Sequence, residues 1–263
     1  MLLSFTEGII DSRGYSKFSY PEFDVYLSGF IFCRKLKAGK ESLDFLAKEL
    51  QEKGAVPFAK LFGKFAVIIH FRDNGKYWAF TDNSSMHGMF ITDKSLGSNF
   101  LELAKHDGLS RFDDVGVYEY VTTRQNGILG RTLLEGVSLS NYMTYYEIQG
   151  GTCQVLSKGI EDIDGKSSID DPIEFFGDIA HAVSDMKAIC SLTGGYDSRM
   201  VASIMNTFGK FECFISGDND ASTEIRCSLN AAKAGGFTMR QIRPVLHVPT
   251  DESTQKLLMG GGV

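Results

Sequence analysis

A chain of 263 residues with a formal net charge of −6, 43% hydrophobic and 23% charged, has the make-up of a packed protein of two domains or one large one, not of a disordered chain. The acidic balance leaves no basic face for phosphate backbones, which argues against broad nucleic-acid binding, and no apolar run approaches the ~20 residues of a membrane span. Five cysteines without a CxxC pair read as reduced thiols, the five histidines show no metal-ligand spacing, and the opening MLLSFTEGIIDSRGY lacks the basic region of a secretion signal, so a cytoplasmic protein is expected.

In chain order, alternating or continuous apolar runs predict strands over Asp24–Cys33, Gly63–Phe71, Lys76–Asp82 and Gly88–Thr92. Between the first two, Arg34-Lys35-Leu36-Lys37 reads as a solvated turn, followed by a helix over Glu41–Leu50 that Gly54 ends. Asp73-Asn74-Gly75 is a hairpin turn, glycine supplying the positive φ. A helix is predicted over Asn99–Lys105 and another over Asp113–Thr122, then strands over Gly130–Glu135 and Tyr142–Gln149. Strands mixed with helices and hairpins fit an α+β sandwich. The polar stretch Ser157–Asp171 is taken as a domain boundary, giving domains over residues 1–160 and 172–263.

The second half changes character. An amphipathic helix over Pro172–Met186 leads to a buried strand, Ala188-Ile189-Cys190, then Thr193-Gly194-Gly195-Tyr196-Asp197-Ser198 and a helix over Ser198–Phe208. A strand at Phe211–Ile215, a helix over Ser222–Ala234 and a strand at Thr238–Ile242 follow. This alternation predicts a parallel, doubly wound sheet with ligands at the carboxyl ends of its strands. Two adjacent glycines let the backbone approach a ligand, and the next helix aims its free N–H groups and positive dipole end at the same point. A pyrophosphate group suits that place. No lysine follows the last glycine, so it is not a Walker loop. A magnesium ion would reconcile Asp197 with phosphates. Arg199 reads either as a charge toward phosphate or as a surface ion pair, and Cys190 as core. The loop Ser216–Asp220 reads either as a nucleoside contact or as a polar turn.

Thr193–Ser198 resembles the SGGxDS loop of the ATP pyrophosphatases, with Thr for the first Ser. Leu61-Phe62-Gly63-Lys64-Phe65-Ala66 is similar to L-x-G-x-F-A, Thr81-Asp82 falls where an Arg-Asp pair occurs, and Arg131–Val137 resembles a T-x-x-x-G-I strand. With these in order, nearly the whole chain resembles the asparagine synthetase family. That resemblance implies an Ntn-type α+β glutaminase-like domain followed by an α/β parallel-sheet PP-loop domain. It implies ATP and Mg²⁺, with Ser191, Thr193, Gly194, Gly195, Asp197, Ser198 and Ser216 holding the nucleotide and pyrophosphate. The activity implied is an AMP-forming amide ligase: a carboxylate is activated as an acyl-adenylate and an amine displaces AMP.

Two departures qualify what the resemblance implies. The family's nucleophile is an N-terminal cysteine; here residue 2 is Leu, and the nearest cysteine is Cys33. The family's N-G-E-I-Y-N segment aligns with Ser28-Gly29-Phe30-Ile31-Phe32-Cys33, so Ser28, Gly29, Phe30 and Asp82 mark a degenerate glutamine pocket. Phe30 cannot satisfy a substrate ammonium. The first domain is therefore expected not to hydrolyse glutamine, with ammonia or another amine as acceptor, unless cleavage exposes Ser4 or Thr6 as a new nucleophile. Second, a helix is expected over Pro249–Leu258, but the family's distal S-G-E-G-x-D-E segment has no counterpart before Val263. An incomplete PP-loop domain is thus expected: a fragment, a non-catalytic remnant or interaction module that binds nucleotide weakly, or a chain that forms a homodimer or takes a complementing chain to cover an open sheet edge. The other partners implied are a small-molecule carboxylate and an amine, without nucleic acid or membrane.

Overall fold

A computed structural model of the chain describes residues 1–11, 14–84, 86–124, 130–160, 171–217, 219–220 and 222–243. They fall into two compact units: Met1–Ile31 with Leu43–Asp164, and Phe32–Ser42 with Gly165–Val248. The architecture is mixed α and β, two antiparallel sheets followed by a three-stranded parallel sheet with interleaved helices.

In the first unit, β1 (Leu2–Ser4), β2 (Gly8–Asp11), β3 (Ser16–Ser19), β4 (Phe23–Phe32), α1 (Lys40–Lys53), β5 (Phe62–Phe71) and β6 (Tyr77–Thr81) come first. Then follow β7 (Phe90–Ile91), β8 (Ser95–Gly97), α2 (Phe100–His106), α3 (Asp114–Thr123), β9 (Ser138–Leu139), β10 (Thr144–Gln149) and β11 (Thr152–Ser157). One sheet runs β2-β1-β8-β7-β9 and the other β11-β10-β6-β5-β4-β3. Their facing sides share one core: Leu3 and Leu96 from the first sheet meet Ala66, Ile68, Ala79, Tyr146 and Ile148 from the second. The stretch Phe65–Ile69 is buried at every position, which marks a strand covered on both faces, with alternate side chains entering different layers. Leu2, on the other face of β1, packs with Leu103 and Ala104 of α2. In α1 the residues Leu43, Leu46, Ala47 and Leu50 are buried at helical spacing.

The approach of β4 to β5 is set by two glycines. Gly29 (φ 87°) faces the Lys64 carbonyl and Gly63 (φ 120°) faces the Phe30 carbonyl, and a Cβ on either would overlap that oxygen. No L side chain is tolerated there without moving backbone. The hairpin at Asp73–Gly75 forms as expected: Gly75 has φ 65° and Lys76 N donates to Asn74 Oδ1 at 2.9 Å.

Several elements differ from expectation. Gly130–Glu135 is not a strand; it makes only isolated bridges, Phe112 with Leu134 and Arg131 with Ser138. The Thr132 hydroxyl donates to the Leu134 and Val137 carbonyls, and the chain turns back at Gly136. Local bonding has displaced ladder bonding there. The short strands β1, β2, β3, β8 and β11 gave no clear periodicity; β11 pairs only with β10 and is largely exposed.

The second unit contains α4 (Pro172–Ala182), β12 (Ile189–Ser191), α5 (Tyr196–Phe208), β13 (Glu212–Ser216), α6 (Thr223–Gly235) and β14 (Met239–Ile242). The strands are parallel in the order β12-β13-β14. Among the described residues that order does not reverse, so the doubly wound arrangement with a switch point is not present there. The core is small: Leu192, Ala202, Cys213 and Ala232, with Cys190, Phe237 and Met239 packed against it. The Arg34–Lys37 segment is not the free solvated turn expected. Arg34 Nε lies 2.6 Å from Asp178 Oδ2 of α4, its guanidinium also meets Glu174, and Lys37 pairs with Asp185. The helix expected over Pro249–Leu258 lies outside the described residues.

Replacing Gly63 by Ala forces the β4–β5 contact apart and is expected to lower unfolding free energy by about 2–4 kcal/mol, measured by urea denaturation against the parent chain. A loss below about 0.5 kcal/mol, the scale of an ordinary surface change, would contradict the close approach.

Candidate functional site

The predicted pyrophosphate loop joins β12 to α5. Leu192 is fully buried and its N–H continues the ladder to the Phe214 carbonyl, while its own carbonyl accepts from the buried Ser228 hydroxyl of α6. The backbone is thereby tied down up to the residue before Thr193. A Cβ on Gly194 would stand 3.3 Å from Cys227 Cβ and 3.4 Å from Glu224 of α6, so the loop lies in close contact with that helix. Gly195 then takes the N-cap position of α5.

Helix starts differ in how they are capped. Asn99, Asp113 and Asp171 cap α2, α3 and α4 with side-chain oxygens, whereas α5 and α6 have no side-chain cap. Gly195 has no side chain, and no side chain caps α5. The first N–H groups of a helix have no intrahelical acceptor, so those of Tyr196, Asp197 and Ser198 are left for solvent or an anion. Tyr196 and Asp197 are exposed. An exposed 13-residue helix with its positive dipole end uncovered is suited to hold phosphate oxygens.

The loop hydroxyls have internal roles. Thr193 Oγ1 and Ser198 Oγ are 2.8 Å apart, Ser198 Oγ accepts from Thr193 N at 3.0 Å, and Thr193 Oγ1 accepts from Gly195 N at 3.2 Å. They brace the turn. Arg199 donates from Nε to the Gly195 carbonyl at 3.1 Å and stacks 4.6 Å over the Tyr196 ring, which holds its guanidinium beside the loop. Ser191 and Ser216 end neighbouring parallel strands and are both exposed, at the carboxyl edge where such sheets take ligands. Gly217 and Asp220 are bound by Gln241, and Arg243 pairs with Asp220; Asp218 lies outside the described residues. Burial raises the Cys190 thiol pKa above its ordinary value, as befits a core residue.

The four residues of the degenerate glutamine pocket lie in the first unit. Asp82 is almost fully buried, and its carboxylate accepts from Ser84 N and Oγ, Met86 N and His87 N at 2.7–3.0 Å. Burial opposes its ionisation, but those donors outweigh burial and hold its pKa below the ordinary value. Asp82 thus organises the turn that carries His87. Ser28 Oγ is 3.0 Å from His87 Nε2, Gly29 is exposed, and Phe30 offers its carbonyl to the close approach at Gly63. Ser4 and Thr6 hydrogen-bond to each other at 3.3 Å, and Ser4 is held in β1 between β2 and β8.

Sequence reasoning did not single out His87, Tyr15 or Lys158. Each is brought to the site by long-range pairing that no spacing encodes. Lys158 is buried, and its ammonium donates to the Thr81 carbonyl at 2.7 Å and to Asn83 Oδ1 at 3.2 Å. Burial pushes its pKa down to about 8, with Asp82 opposing the shift.

No model of a known protein family matches the chain, and no curated protein matches it either. Among the described residues no cluster of three or more His, Cys, Asp or Glu side chains could hold a metal ion, and no helix is long and apolar enough to cross a membrane.

Because the folded chain releases the Lys158 proton near pH 8 and the unfolded chain only near the free lysine value of about 10.4, the unfolded state holds more protons across that window. Stability therefore rises with pH between them, by roughly 1–3 kcal/mol. Urea midpoints taken from pH 7.5 to 10 should show this rise in the parent chain and a flatter profile in Lys158→Met. Parallel profiles would contradict the burial of a strained ammonium.

Proposed function

We propose that the chain is an ATP-dependent, amide-bond-forming ligase of the asparagine synthetase type, and that Thr193–Ser198 of its second unit holds the pyrophosphate of ATP. The observation that carries this reading is the uncapped, exposed start of α5, entered from a parallel strand through two glycines, the first of them packed against α6. Ser191 and Ser216 at the adjoining strand ends are placed to meet the nucleoside.

The chemistry proceeds in two steps. A substrate carboxylate oxygen attacks the α-phosphorus of ATP, forming an acyl-adenylate and releasing pyrophosphate. An amine nitrogen then attacks the acyl carbon, AMP leaves, and the ammonium proton passes to solvent. The chain's contribution is fixed positive potential where the leaving pyrophosphate gathers charge: the amides of Gly194, Tyr196, Asp197 and Ser198 and the dipole of α5. Thr193 and Ser198 keep the turn rigid so that those amides need no reorganisation. Mg²⁺ would neutralise phosphate charge beside the exposed Asp197. Ammonia or another amine is the acceptor, because Ser28, Gly29 and Phe30 offer neither the amide nor the carboxylate that would grip glutamine.

A second reading rests on one observation. The Thr193 and Ser198 hydroxyls satisfy each other, so a non-catalytic remnant that binds nucleotide weakly would also keep this loop. In either case the first and last strands of the parallel sheet have no outer neighbour among the described residues, and a second copy or a complementing chain is the proposed cover.

Saturating MgATP, at about 100 times Kd, stabilises a folded protein by about 2.7 kcal/mol and raises Tm by roughly 5–10 °C at this size. Differential scanning fluorimetry should show that rise, and the Thr193→Ala/Asp197→Ala double variant should lose it. The ligase reading further predicts carboxylate-dependent exchange of labelled pyrophosphate into ATP. A nucleotide shift without exchange across a carboxylate panel would favour the remnant, and an unchanged shift in the double variant would overturn the site.

A further inference from the structure

Ser28 Oγ lies 3.0 Å from His87 Nε2, and His87 Nδ1 lies 3.2 Å from the Gly88 carbonyl. A carbonyl can only accept, so Nδ1 carries the ring proton and Nε2 is left to accept from the Ser28 hydroxyl. This is the arrangement of a nucleophile and its base. The imidazole is positioned from behind: His87 N donates to the buried Asp82 carboxylate at 2.8 Å, which also gathers Ser84 and Met86. Burial, partly opposed by the Gly88 carbonyl and Asp82, lowers the imidazole pKa, so the ring is neutral and able to take a proton at neutral pH.

An independent observation points into the same place. Tyr15 Oη is shut off from solvent and makes no hydrogen bond of normal geometry, although the Ser98 and Ser28 hydroxyls lie beside it. Burial pushes its pKa up to about 12, so it stays protonated. A buried hydroxyl without a partner is unfavourable unless something else accepts from it. Ser28 and His87 are half-buried and Gly29 beside them is exposed, so the pair is not sealed from solvent.

We infer that Ser28 and His87 form an acyl-transfer dyad in the first unit, with Tyr15 as the oxyanion donor and an activated carboxylic ester as substrate. Ser28 Oγ attacks the ester carbonyl carbon as its proton passes to His87 Nε2. Tyr15 donates to the carbonyl oxygen as it becomes an oxyanion. When the tetrahedral adduct collapses, the carbon–alkoxide bond breaks, His87 returns the proton to the departing alcohol, and acyl-Ser28 remains. Water, deprotonated by His87, then attacks the acyl carbon, releasing the acid and restoring the serine. Esters rather than amides fit, because Nδ1 faces a neutral carbonyl instead of a carboxylate and the imidazolium is less stabilised. An easily expelled alcohol is then required. This inference does not depend on the α5 loop.

The test is covalent labelling of the full chain with a fluorophosphonate, the adduct located by peptide mass spectrometry. Expected is an adduct on Ser28 of the folded protein that heat-denatured protein does not form, since a serine outside its site is not activated. His87→Gln should slow labelling at least tenfold and Tyr15→Phe by roughly tenfold or more, in line with removal of a general base and of an oxyanion donor. Circular dichroism and melting profiles must match the parent chain; if a variant fails to fold, the position of the parent adduct decides. No Ser28 adduct on the folded chain, or equal labelling rates in a folded His87→Gln variant, would overturn the dyad.

Discussion

Backbone N–H groups must find acceptors, and the functional reading of this chain depends on where the fold leaves some of them without one. In the first unit the ladders of two antiparallel sheets use most of them, and Asn99 and Asp113 close the starts of α2 and α3. In the second unit Asp171 does the same for α4. At α5 the residue in the capping position is a glycine. A side chain there would satisfy the helix locally; its absence, at the carboxyl edge of a parallel sheet, leaves donors facing outward with a fixed geometry. The loop before it is held rigid by Thr193, Ser198 and Ser228, so the donors are preorganised.

The first unit is built on a different constraint, the close backbone contact of Gly29 and Gly63 between β4 and β5. Ser28 and Phe30 flank that contact. Beside it Asp82 organises the turn that carries His87 through its donors from Ser84 to His87. The two units place their reactive groups in separate settings: oriented amides in one, a hydroxyl–imidazole pair in the other.

Much of the fold was legible in the sequence where periodicity runs long. The β5 and β6 strands, the Asn74-Gly75 turn and helices α1, α4, α5 and α6 fall within a few residues of their expected spans. The turn at Thr193–Ser198 was legible because its signal is local: a strand, two glycines and a helix. What escaped were the short strands β1, β2, β3, β8, β9 and β11, which show no clear alternation, and Gly130–Glu135, where Thr132 binds neighbouring carbonyls instead of a ladder partner. The Arg34–Lys37 cluster escaped for another reason: its acidic partners lie about 140 residues further along the chain. His87 and Lys158 were illegible on the same grounds, since each depends on a partner that only the folded chain brings near, and Tyr15 because only the fold buries its hydroxyl.

The most direct measurement is a backbone-amide NMR titration of the chain with magnesium pyrophosphate. If the α5 start holds the anion, the N–H resonances of Gly194, Tyr196, Asp197 and Ser198 move together and furthest, along one saturable curve. Pyrophosphate binding that leaves those four amides in place and shifts another part of the chain would contradict the account.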